Sequence, residues 1–93
     1  MDMNTTEICS IIAEREKKGE TLEEIYVHYH NAWVAEHEKP RDEQNIEKAD
    51  EYIEIRNAVA ILITTDALKE KGYIWTRGKK FSHWEKVNEL EGD

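Results

Sequence analysis

The order of apolar and polar positions divides the chain into helical stretches separated by short punctuation. Ile8, Ile11 and Ile12 recur at helical spacing behind Asn4-Thr5-Thr6-Glu7, where Asn4 can accept a first-turn backbone N–H and Glu7 can reach back, a capping box. The pattern predicts a helix over residues 4–18. Lys17 and Lys18 suit the negative end of its dipole, and Gly19 can take the left-handed conformation that stops it. Thr21-Leu22-Glu23-Glu24 is a second capping box only two residues on, so the next helix is expected to fold back antiparallel on the first. Over residues 21–38 its stripe is Leu22, Ile25, Tyr26, Tyr29, Trp33 and Val34, with Glu23, Glu24, Glu36 and Glu38 falling mainly elsewhere.

Pro40 is the sole proline; it takes Lys39 out of the helical region and suits the first turn of a new helix. From there Ile46, Ala49, Ile53, Ala60, Ile63 and Ala67 form a near-heptad stripe, widened by Tyr52, Ile55, Val59 and Leu62 and closed by Gly72. One long helix over residues 41–71 is the first reading. The second takes AVAILITT, residues 58–65, as a buried strand followed by a short helix capped at Thr65 or Asp66, because Val, Ile and Thr favour strands. A helix of that length would extend about 45 Å and outrun its predecessors. Its surplus stripe, around Ile53, Val59, Leu62 and Ile63, is therefore expected to be an oligomer interface, and a homodimer is expected.

Residues 72–93 form an aromatic and basic tail. YIWT, RGKK and FSHW fit two short strands around a glycine-containing turn; Ser82 with Glu85, ahead of Val87 and Leu90, equally fits the cap of a terminal helix. Residues 91–93 are expected to fray. The fold class expected is thus mainly α: an antiparallel helical hairpin packed on a longer third helix, finished by a short aromatic and basic hairpin or helix, in a single domain.

Charge changes how the tail reads. From Lys69 to Lys86 six basic residues face only Glu70 and Glu85, whereas the chain before Lys69 has seven basic and sixteen acidic residues. Tyr73, Trp75 and Trp84 could stack on bases while Arg77, Lys79 and Lys80 neutralise phosphates, the combination that binds nucleotides and single-stranded nucleic acid. Set against that, a chain of 93 residues needs its large aromatics for burial, leaving Tyr73 and Trp75 as a core cover and the cations as solvated turn residues. ALKEKGYIW with TRGKK and FSHW also resembles the last helix and wing of a winged-helix domain, over about the last 25 residues. That resemblance implies DNA binding, yet Asp66 and Glu70 would then lie beside phosphates.

A net charge of −8 excludes a protein that coats DNA or an anionic membrane with its whole surface, and favours a partner protein with a basic surface. Catalysis is not expected, since the chain has no GxGxxG, Walker loop, HExxH or GxSxG. The single cysteine, Cys9, leaves no internal disulfide and is expected to be a buried or half-buried small hydrophobe. His28 and His30 lie on different helix faces and His30 and His37 stand about 10 Å apart, so no metal or other cofactor is expected; His30 beside Trp33 reads as a boundary residue with some pH sensitivity. With no apolar leader and no span-length apolar run, a cytoplasmic protein is expected. The function expected is that of a small acidic interaction protein, an adaptor or inhibitor similar in composition to those of phages and mobile elements. The alternative is an anionic small-molecule or nucleic-acid ligand held by segment 73–86.

Overall fold

A computed structural model describes residues 4–87. The fold is mainly α. Its elements are α1 (Thr5–Lys17), α2 (Leu22–Glu38), a 3-10 turn at Arg41–Glu43, α3 (Ile46–Ala60), α4 (Thr65–Glu70), β1 (Tyr73–Thr76) and β2 (His83–Lys86). Both capping boxes close. Asn4 Oδ1 accepts the Glu7 N–H at 2.8 Å and Thr21 Oγ1 accepts the Glu24 N–H at 3.2 Å, while Glu7 and Glu24 accept the Asn4 and Thr21 amides. Gly19 ends α1 with φ 97°, a conformation that side chains with a Cβ resist.

The closest helix pair is α2 with α3, not α1 with α2. No residue of α1 is buried; Ile8, Ile11 and Ile12 are partly buried covers over a core of Ile25, Tyr29, Ile55 and Val59. Ile25 and Val59 are fully enclosed, worth about 1.5–3 kcal/mol each. On its other side α2 packs Val27 with Leu68, Tyr73 and Trp84, a second core joined to the first through Tyr26 and Ile63. Because α2 is covered on two sides, it buries Val27 and His30 beyond the single stripe that its sequence suggests.

The long helix expected over residues 41–71 is broken. Asn45 Oδ1 accepts the Lys48 N–H at 3.0 Å to begin α3, which at 15 residues is shorter than the 17 of α2. It ends at Ala60. Ile61 and Leu62 turn outward, 83% and 59% exposed, and Thr64 Oγ1 accepts the Ala67 N–H at 3.0 Å to start α4, one residue before the expected cap. Residues 58–65 therefore form neither a continuous helix nor a strand. The break swings Leu68, 2% exposed, into the second core, where a straight helix would have carried it away from α2. The surplus stripe goes with it: Val59 lies inside the chain's own core, Ile53 and Ile63 are partly buried, and of these four only Leu62 is exposed.

Two polar positions also differ from expectation. Glu36, which the pattern puts off the apolar stripe, is nonetheless 7% exposed; its carboxylate accepts the Asn45 N–H at 2.7 Å and pairs with Lys39 at 3.1 Å, fastening the connection between α2 and α3. Cys9 is exposed. The tail is a hairpin and not a helix from Ser82. Tyr73 pairs with Lys86, Ile74 with Glu85, Trp75 with Trp84 and Thr76 with His83, and the Glu85 carboxylate meets His83 Nε2 at 2.8 Å instead of capping. The expected fraying of residues 91–93 lies outside the described residues. Among those described, no helix is long and apolar enough to cross a membrane.

Candidate interaction surface on the hairpin

Gly72, with φ 93°, turns the chain from α4 into β1, and its carbonyl accepts the Val87 N–H at 2.6 Å to close the open end of the hairpin. At the other end Gly78 allows the tight loop: a Cβ there would lie 2.5 Å from the Phe81 carbonyl oxygen. α2 holds the hairpin through three polar ties. The Asn31 amide donates to the Trp84 carbonyl at 2.7 Å and accepts the Trp84 N–H at 3.0 Å, so one side chain occupies the place of a neighbouring strand. His30 Nε2 donates to the Ser82 carbonyl at 2.9 Å while Arg56 Nη1 approaches Nδ1 at 3.4 Å. Lys80 Nζ donates to the His37 carbonyl at 3.0 Å, an acceptor it shares with Gln44.

Around these ties runs an aromatic band. Trp75 stands 4.8 Å from Trp84 and 5.3 Å from His30 between ring centres; Trp33 continues it to Phe81 at 4.8 Å and to His37 at 4.8 Å. Burial, helped by Arg56 and His83, holds His30 below its ordinary value near 6.5 against the opposing pull of the Ser82 carbonyl. The ring is therefore neutral at pH 7, with its proton on Nε2. Burial also raises Tyr73, with Glu24 and Glu23 adding to it, and Lys86 Nζ lies 4.9 Å from the centre of the Tyr73 ring.

The residues that the sequence grouped as an anion site separate. Tyr73 and Trp84 are interior, 8% and 7% exposed, whereas Trp75 is 53% exposed. Arg77, Lys79 and Lys80 are on the surface, and none of them lines the grooves at Trp75. Lys80 lines a dent of about 260 Å³ with His37, Arg41, Gln44 and Phe81. Trp75 lines two others with Lys69, one of about 490 Å³ along Gly72, Tyr73, Ile74 and Val87, the other of about 410 Å³ against Tyr26, Thr65 and Trp84.

Ile74 beside Trp75 is 49% exposed, so the apolar surface and its neighbouring cation are Ile74, Trp75 and Lys69. Sequence reasoning missed Lys69 as a site residue, although its place in the basic stretch was a signal. It also missed Asn31, for which there was none. Among the described residues no group of three or more His, Cys, Asp and Glu side chains could hold a metal ion. Compared with protein-family models, with curated proteins and with solved structures, the chain matches none of them.

Proposed function

We propose that the chain is a non-catalytic protein-binding module, acting as an adaptor or inhibitor by occupying a partner's surface through the hairpin face around Trp75. The observation that supports this reading is the pair of adjacent large apolar side chains, Ile74 and Trp75, half exposed in grooves beside Lys69. Tryptophan is among the residues that dominate interface energetics. This ring is already held by Trp84 and His30, so little side-chain freedom remains to be lost on binding. The overall charge suggested a basic partner; the charged residue lining the grooves at Trp75 is Lys69, and local charge sets contact chemistry. The partner surface is apolar with an acidic rim. Comparing native-host proteins retained by the wild type and by Trp75→Ala with Ile74→Ser tests this. A partner held by the first and lost by the second supports it, and partners indifferent to both substitutions refute it.

The anion-binding alternative draws support from one feature, the dent that brings His37, Arg41 and Lys80 beside Phe81. Titration of nucleotides and oligonucleotides at low salt, repeated with Arg41→Ala, decides it: binding lost in the variant supports it, and no binding removes it. The winged-helix reading gains nothing from α4, which has six residues and carries Asp66 and Glu70.

A further inference from the structure

The two edges of the hairpin are treated differently. In an antiparallel pair, opposite residues either exchange both backbone hydrogen bonds or turn both away from each other, in alternation. The Trp84 N–H and carbonyl bond to Asn31, so Trp84 and its partner Trp75 are of the outward kind. The Val87 N–H bond to Gly72, three pairs along, fits that alternation. Trp75 and, two residues back, Tyr73 therefore direct their N–H and C=O groups away from β2.

Among the described residues the sheet has these two strands. Asn31 closes the β2 edge, and among the described residues nothing hydrogen-bonds the outer edge of β1. Beside β1 runs the groove of about 490 Å³ lined by Lys69, Tyr73, Ile74 and Trp75. An open edge with apolar flanks is a template for another strand.

We propose that β1 is a strand-addition site that takes an extended, acidic-ended, apolar-centred peptide segment of a partner protein, bonded to the backbone of Tyr73 and Trp75. This rests on the protein-binding reading and specifies how that surface is used. Charge selects the occupant. Lys71 precedes β1, Arg77 follows it and Lys69 lies in the groove, and among the described residues none of the three forms an ion pair. Acidic residues at the ends of an added strand would meet them. A second copy of β1, paired antiparallel about Ile74, would instead bring Lys71 opposite Arg77, and like charges facing each other across strands are unfavourable.

The test uses the full chain with the blocked peptide Glu-Thr-Ile-Thr-Ile-Thr-Glu, a version with Lys at both ends, and versions N-methylated at alternate residues in either phase. Binding is followed by amide NMR. The expected result is binding that slows exchange at the Tyr73 and Trp75 amides, weakens about tenfold or more with Lys ends, and weakens about tenfold or more in one methylation phase only, as the loss of one or two hydrogen bonds requires.

Binding without amide protection, or with both phases alike, overturns strand addition while a Trp75-dependent partner keeps the protein-binding reading. No binding by the acidic peptide overturns strand addition of this class. Slowed exchange at Tyr73 and Trp75 on raising the protein concentration alone, with dimer mass, overturns the choice of occupant. If no protein partner depends on Trp75, the underlying reading fails too.

Discussion

Replacing Asn31 by Ala removes a side chain that stands in for a strand beside β2. The two bonds it makes, 2.7 Å and 3.0 Å long, each contribute about 0.5–1.5 kcal/mol net, and a buried partner left unsatisfied costs about 1–3 kcal/mol. Trp84 is only 7% exposed, so water reaches its backbone poorly while the hairpin stays docked. The expected loss is about 2–4 kcal/mol. For a domain of this size that lowers the melting temperature by roughly 10 °C or more. Urea unfolding followed by tryptophan emission and by far-ultraviolet circular dichroism measures it.

Asn31→Asp sharpens the test. A carboxylate can still accept the Trp84 N–H but repels the carbonyl, so this variant should be at least as unstable as Ala at pH 7. It should recover in part below about pH 4, where the acid protonates. A loss under about 0.5 kcal/mol for Ala, well below one unsatisfied buried group, would refute the argument that this amide closes the sheet edge.

Thr64→Ala should cost about 1 kcal/mol by removing the cap on α4, read from the urea midpoint, with no effect on the α1 cap. Gly72→Ala should cost about 1 kcal/mol or more, since φ is 93°; Gly19→Ala, at φ 97°, should cost a similar amount by the same strain. Stability should decline on acidification in two stages. His30 has a folded value below its ordinary 6.5, so the unfolded chain binds the proton first and stability is lost as pH falls from about 6.5 towards the folded value. Glu36, lowered from 4.5 by the Asn45 N–H and then by Lys39, keeps its contribution above 4.5 and loses it as pH falls through its folded value. Melting curves across that range check both; His30→Gln should shrink the first stage, and what remains belongs to His28, which burial and then Arg15 also hold below its ordinary value.

The caps and stops were legible because they are local. Asn4 with Glu7, Thr21 with Glu24, Gly19 and Gly72 each declare themselves within four residues, and all four act as read. The break after Ala60 was not legible. Ile61, Leu62 and Ile63 continue the apolar stripe without a glycine or proline, and what separates them is tertiary: Leu68 has a buried place against Val27 and Trp84. The aromatics of the tail show the same limit. Tyr73 and Trp75 lie two apart on one strand face, yet one is enclosed and the other is half exposed. Only the position of α2, set by Asn31 and His30 reaching about fifty residues ahead, decides which is which.

Tyr26 and Ile63 each touch both cores, so they couple the helical core to the docking of the hairpin. The helical core pairs Ile25 and Tyr29 with Ile55 and Val59, whereas the hairpin docks through more distant pairs such as Asn31 and Trp84, 53 positions apart, and the more distant a contact in sequence the costlier it is to form early. Sub-global opening that frees the hairpin while α2 and α3 stay packed should therefore require less free energy than complete unfolding. A partner bound at β1 as proposed would need the closed form, in which Trp84 and His30 hold Trp75 in place, and its apparent affinity would scale with the closed fraction. Substitutions at Tyr26 or Ile63 that raise the open population would thus weaken binding at β1 without altering the contact itself.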